Sequence, residues 1–271
     1  MGTSPSAPRY VLGLESGGEH LGVALVDAAA GALVDSVTQL RVDKTQDHLL
    51  ELVADALSRH SLSLADIALI AVGRGPGSFT GIRIGLSVAA GLSLGSGVPV
   101  WPVSSLAALA MNVGVPGVHV LALLDAKRGE VYGGLYRLGD KAPEVVVAPR
   151  VATCESVAAQ ARATLEAEAI GTGPGDAGRS ASELTATQLI VLGSGAQAFG
   201  VASPLATSLH VPSAAMTATL ALWEWLGADR DMTLAPPIDP MYLRRSEAEV
   251  AADARDGELG VPTDLRDSER G

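Results

Sequence analysis

Aromatic side chains are scarce in this chain, with Phe, Trp and Tyr making up 3% of 271 residues. Its core must be assembled from Leu, Val, Ala and Ile, whose individually small contacts count only when closely packed. Cysteine is scarcer still. Cys154 stands alone, which excludes an internal disulfide and any multi-cysteine metal site and makes a reducing cytoplasm the expected setting. No uninterrupted apolar run reaches the roughly 18 residues that span a bilayer. The opening MGTSPSAPRY lacks the basic-then-apolar pattern of a secretion signal, and Met1, Gly2 and Ser6 match an acylation pattern too weakly to carry weight. Positive charge is short as well: 19 Lys and Arg face 30 Asp and Glu, for a net −11. Eight acidic and three basic residues fall after Ser246, so the body keeps about −6, the wrong sign for a protein that holds RNA unaided.

What is present is a chain 48% hydrophobic and 18% charged, enough for one large or two small cores. It is organised around IALIAVGRGPGSFTGIRIGLSVAAGLSLGSG, Ile67 to Gly97. Ile67 to Val72 is a short apolar run of the kind a strand buried on both faces shows. GRGPGS then forbids a helix, because Gly73, Gly75 and Gly77 permit close approach or positive φ and Pro76 fixes the turn. Ser78 or Thr80 can cap a helix running from Thr80 to about Gly95. Along it Gly81, Gly85, Ala89 and Ser93 recur every four residues, leaving one face almost bare. Glycine inside a helix costs about 0.5–1 kcal/mol relative to alanine, so such a face admits another backbone at short range. Pattern alone leaves two occupants open, the chain's own sheet or another subunit.

In chain order, residues 1 to 8 read as a disordered leader. Tyr10 to Leu14 and Leu21 to Val26 are strands joined by the ESGGEH hairpin, with a third strand from Leu33 to Val42. Thr45 or Asp47 opens a helix whose apolar side is Leu49, Leu50, Leu52, Val53, Ala56 and Leu57. With the Ile67 strand and the following helix this gives β-β-β-α-β-α, the order of an actin-like, or ribonuclease-H-like, half-domain. After Pro99, Trp101 to Asn112 reads as a helix capped at Ser104 or Ser105. Val118 to Leu124 reads as a strand, Lys127 to Gly129 as a hairpin turn, Val145 to Val147 as a strand and Glu155 to Ala169 as a helix. Gly171 to Glu183 is a Gly- and Ser-rich loop. Gln188 to Leu192 is a strand leading into a second glycine turn, GSGA, and Ala214 to Gly227 is a helix. The expected architecture is an α/β, actin-like (ASKHA) pseudo-duplicated fold of two lobes with the second degenerate. Its boundaries are a first lobe over 9–104, a second over 105–213, a helix and closing segment returning to the first lobe over 214–245, and an acidic disordered tail over 246–271.

Chemistry is less evident. The turns at Ser16-Gly17-Gly18, Gly73 to Ser78 and Gly193 to Ala196 could each face a phosphate, yet no GxxxxGK[ST] follows and Glu15 stands where actin-like enzymes place a metal-holding aspartate. His20, His48, His60, His119 and His210 are isolated, and the position one turn beyond His48 is Leu52, so no HxxxH pair exists. Ser78, His119 and Asp125 make a triad only on paper, since no GxSxG frames the serine. Cys154 has no histidine near it in sequence and reads as a structural thiol. Asp125, Arg128, Glu130 and Tyr132 form the most polar cluster, read as a turn whose charges satisfy one another. No catalytic, cofactor-binding or metal-binding residue is expected.

The blocks VLGLESGGEHLGVAL, DHLLELVADAL, GRGPGSFTGIRIGLSVAAGL, PVSSLAAL, LLDAKRGEVYGGLY and PMYLRR, from Tyr10 to Arg245, resemble the TsaB/YeaZ family in order and spacing. The resemblance implies a non-catalytic accessory subunit in tRNA threonylcarbamoyladenosine formation. It implies binding to a TsaD-type catalytic paralogue, a TsaE-type ATPase in the complex, tRNA reached only through that complex, and a homodimer in isolation. It also implies a four-helix contact through the two first-lobe helices, with Leu49, Val53, Gly81, Arg83, Gly85 and Ala89 as interface positions; Gly85→Leu is then expected to block pairing while leaving the fold intact. Glu15-Ser16-Gly17 departs from the family's common Asp-Thr-Ser. The competing readings are an active actin-like enzyme, either a small-molecule kinase or a metallopeptidase, and a homodimeric scaffold without a modification role.

Overall fold

The computed structural model describes residues 8–40, 45–171, 189–198, 200–201 and 205–244. The expected leader up to residue 7, the loop beyond Gly171, the end of the third strand and the acidic tail lie outside these residues. The chain divides after Met241, and the second unit is described only at 242–244, which carry no helix or strand.

The first sheet holds β1 (Tyr10–Glu15), β2 (His20–Asp27), β3 (Leu33–Leu40), β4 (Ile67–Gly73) and β5 (Val100–Val103) in the order β3-β2-β1-β4-β5. β1, β2 and β3 form an antiparallel meander, while β4 and β5 join parallel to β1 through crossovers. Those crossovers are α1 (Thr45–Arg59) and α2 (Phe79–Ser96). The second sheet repeats the pattern in shortened form. β6 (His119–Asp125), β7 (Glu130–Arg137) and β8 (Glu144–Thr153) make the meander, α4 (Cys154–Gly171) crosses over, and β9 (Leu189–Leu192) returns parallel to β6. The five-residue α5 (Ser194–Ala198) follows it. Between the sheets lie α3 (Ser105–Met111) and α6 (Ala214–Gly227). The result is the actin-like two-lobe fold.

Two sequence readings change. Trp101–Val103 is not the start of a helix: VWPV pairs with β4 from Ile70 to Gly73, and Pro102 is tolerated because β5 is an edge strand. Ser104 then caps α3 by accepting the Ala107 N–H. β8 is also far longer than Val145–Val147, because β7 supplies a partner along its length, with two register shifts.

Residues alternate across the central strands. Leu69 and Ala71 of β4 join the middle core with Leu220 and Ala221 of α6, whereas Ile70 and Val72 face α1 and α2. Trp101 Nε1 donates to Glu224 Oε2 at 2.7 Å, tying β5 to α6; burial pushes that carboxyl above its usual range. Among the described residues α2 is the one helix long and apolar enough, by length and composition, to cross a membrane, and Thr80, Arg83, Ser87 and Ser93 keep it from being an uninterrupted apolar run. Its inward face, Ile82, Gly85, Leu86 and Ala89, is buried within the first lobe.

α6 crosses β1 so closely at Gly13 that a Cβ there would collide with the Ala214 carbonyl and sit 2.9 Å from the Ala218 Cβ. Gly13→Ala should therefore destabilise the chain by about 1–3 kcal/mol in urea unfolding, since backbone must move to admit the methyl group. An unchanged midpoint would refute that closeness.

Candidate functional site

The first hairpin turn and the GRGPGS loop pack backbone against backbone. Ser78 N–H donates to the Gly17 carbonyl at 2.7 Å, and a Cβ on Gly77 would overlap that same carbonyl. Ser16 Oγ donates to the Gly81 carbonyl at 2.9 Å, and a Cβ on Gly85 would overlap Ser16 Oγ. Gly75 has φ 98° and precedes a cis proline, and a Cβ there would press on Ile82 at 2.6 Å. The glycines of the motif are thus needed where two turns of one lobe meet.

At the centre of this junction lies Glu15, the last residue of β1, 2% exposed. Its Oε1 accepts the backbone N–H groups of Ser16 at 3.1 Å and Gly17 at 3.0 Å. Ser105 Oγ, at the start of α3, lies 3.2 Å from Oε1 and 3.1 Å from Oε2. Thr217 Oγ1, on α6, lies 3.3 Å from Oε2. Because Ser105 Oγ already accepts the Gly75 N–H at 3.3 Å, its own hydrogen is directed to the carboxyl. Burial is the largest influence on Glu15 and raises its pKa; the hydrogen bonds from Gly17, Ser105, Thr217 and Ser16 pull the other way without cancelling it. A Cβ on Gly73 would overlap this carboxyl, so the cradle is full.

The expected interface positions fall largely inside. Leu49 and Ala89 are 0% exposed and Val53 is 3% exposed, all in the core between α1, α2 and the first sheet, and Gly81 and Gly85 are buried against Ser16. Among the six only Arg83 is exposed, its guanidinium 4.0 Å from the Phe79 ring centroid. The outer face of α2 is instead Phe79, Arg83, Ser87, Ala90, Gly91 and Leu94, with Leu94 91% exposed. Both faces of α2 are rich in small residues, and the sequence period alone does not say which looks inward. Gly85→Leu therefore cannot leave the fold intact, contrary to the expectation above.

The other candidates stay apart. His119 Nε2 lies 3.3 Å from Glu168, Asp125 pairs with Lys127 Nζ at 2.7 Å, and Ser78 caps α2 by accepting the Gly81 N–H, so no triad assembles. Burial pushes Asp125 up, but the Lys127 ammonium and N–H outweigh it and hold the carboxyl below its usual range. Lys127 and Arg128 have φ of 62° and 56°, and Lys127 Nζ reaches Glu19 of the first hairpin at 3.8 Å. His48 is half-buried with Nε2 2.8 Å from Gln39, and the Cys154 thiol is raised by burial. Buried His210 accepts the Gly193 N–H on Nδ1 at 3.0 Å, bracing the second glycine turn. Among the described residues no three His, Cys, Asp or Glu come together as a metal site.

Two outcomes follow for the junction. Gly85→Ala should cost about 1–3 kcal/mol and Gly85→Leu should prevent soluble folding, read from urea midpoints and recovery; a folded Gly85→Leu chain would show that Ser16 is not so close. Because the Glu15 pKa is raised in the folded state, the native chain binds the extra proton. Its stability is fully present below the ordinary carboxylate pKa and declines as pH rises through the raised value. Urea midpoints of the native chain should fall with pH relative to Glu15→Gln above about pH 4.5, and parallel curves would contradict the shift.

A family model described as TsaD, tRNA N6-adenosine threonylcarbamoyltransferase, matches residues 39–251. The tRNA threonylcarbamoyladenosine biosynthesis protein TsaB of Escherichia coli is 45% identical over 91 residues, 33% of this chain and 39% of that protein. TsaB of Haemophilus influenzae is 34% identical over 45% of this chain and 51% of its own, and TsaB of Bacillus subtilis 32% identical over 51% and 59%. The chain thus spans about half the length of the curated relatives it matches. The solved structure of YeaZ from Pseudomonas aeruginosa superposes with TM-score 0.64 at 27% identity, over 87% of this chain and all of that one. The junction of hairpin and glycine loop, the paired meanders and these matches agree, and the chain belongs to the TsaB/YeaZ family within the group that the threonylcarbamoyltransferase model describes.

Proposed function

We propose that this chain takes part in tRNA threonylcarbamoyladenosine biosynthesis as a non-catalytic accessory subunit, docking a TsaD-type paralogue on the outer face of α2. The observation that carries this reading is the composition of that face. Phe79, Ser87, Ala90, Gly91 and Leu94 leave an apolar, low-relief helix surface with Arg83 as its only charge, and nothing lies within 4 Å of a Cβ built on Gly91. Such a surface suits a partner helix at short range. The names of the TsaB relatives supply the pathway. A TsaE-type ATPase joins the same assembly, tRNA is reached only through it, a second copy occupies the face when the paralogue is absent, and the setting is the cytoplasm. The net charge of −11 agrees with RNA contact being left to other subunits.

Against the competing kinase reading, the Glu15 carboxyl, at the place where actin-like enzymes hold a metal, is buried and taken up by hydrogen bonds from Ser16, Gly17, Ser105 and Thr217.

The purified chain alone should transfer no threonylcarbamoyl group, and modification should require the paralogue, the ATPase, tRNA, ATP and threonylcarbamoyl-adenylate. Leu94→Glu and Ala90→Glu should leave the fold unchanged and weaken recovery of the paralogue by about tenfold or more. Transfer by the chain alone, or undiminished pairing by both variants, would defeat the reading.

A further inference from the structure

The groups around Glu15 are neutral donors aimed at a single point. Two come from consecutive backbone N–H groups in a turn, Ser16 and Gly17, and two from hydroxyls, Ser105 and Thr217, that lie 90 and 202 residues further along the chain. Consecutive turn amides with converging hydroxyls are how proteins hold carboxylate and phosphoryl oxygens. Here the acceptor is the chain's own side chain, held 2% exposed, with no room on the Gly73 side for a further methyl group. A tethered group faces its site at an effective concentration that a free anion at millimolar level does not match.

We propose that this cradle is a hydrogen-bonding site for carboxyl or phosphoryl oxygens kept occupied by the chain's own Glu15, and that removing the Glu15 carboxyl opens the site to small free carboxylic acids, taken up with their proton, or to phosphate. In the native chain the side chain then serves as a permanent internal ligand, excluding phosphoryl groups from the first hairpin while pinning β1, the glycine loop, α3 and α6 to one point. The proposal concerns the chain alone and does not rest on partner binding.

Glu15→Ala removes a fragment the size of acetate. Melting of this variant should occur several degrees below the native chain in chloride, and tens of millimolar acetate at matched ionic strength should restore at least half the loss. Inorganic phosphate tests the second source: rescue by both buffers supports a general cradle for acid oxygens, and rescue by acetate alone supports one shaped for a carboxyl group. Glu15→Gln keeps the filling group and should show no anion-specific gain. If Glu15→Ala is insoluble, the yield on refolding in acetate against chloride gives the same reading. Anion gains no larger than those of the native chain and Glu15→Gln, or equal refolding yields in both salts, would overturn the proposal. So would movement of the native Ser16 and Gly17 amide resonances on adding phosphate, since that would show the site open with Glu15 in place.

Discussion

One buried carboxyl governs how the parts of this chain meet. Glu15 gathers hydrogen bonds from its own hairpin, from the first residue of α3 and from the first turn of α6, and the loop after β4 has no side chain to put in its way. A buried polar group that is well supplied with partners specifies an arrangement more sharply than apolar contacts do, because any shift leaves donors unpaired in a medium that cannot replace water. The glycines at 73, 77 and 85 follow from this: each stands where the hairpin with Glu15 at its base comes too close for a Cβ. The GRGPGS motif is first of all a packing surface for another turn of the same lobe.

That constraint separates two roles that the sequence superimposes on α2. Its inner face has glycine at 85 because Ser16 presses on it, and its outer face carries Ser87, Ala90 and Gly91 among exposed Phe79, Arg83 and Leu94. One helix thus carries both the seam of the lobe and the surface assigned to docking.

Much of the architecture was legible in the residues. The alternation and apolar runs of the first five elements, the Ser78 cap and the repeat of a meander after residue 118 are local signals, and local signals survive in a sequence. What was not legible is non-local. VWPV became a strand because β4 offers an edge, and β8 extended because β7 lies beside it. The four-residue stripe Gly81-Gly85-Ala89-Ser93 announced a close approach without its direction. Glu15 stood out as a departure at its position, but Ser105 and Thr217 carry no mark tying them to it, since the fold alone brings them within 3.3 Å.

α6 belongs to the chain's last third yet covers β1, β4 and β5, which are made first. During synthesis the emerging five-stranded sheet must wait roughly a hundred residues for its cover, with Val11, Leu69 and Ala71 facing water meanwhile. The nascent first lobe is therefore an adhesive intermediate on the ribosome, and a stall or truncation before Ala214 would leave chaperones and proteases a half-clad sheet instead of an independent domain.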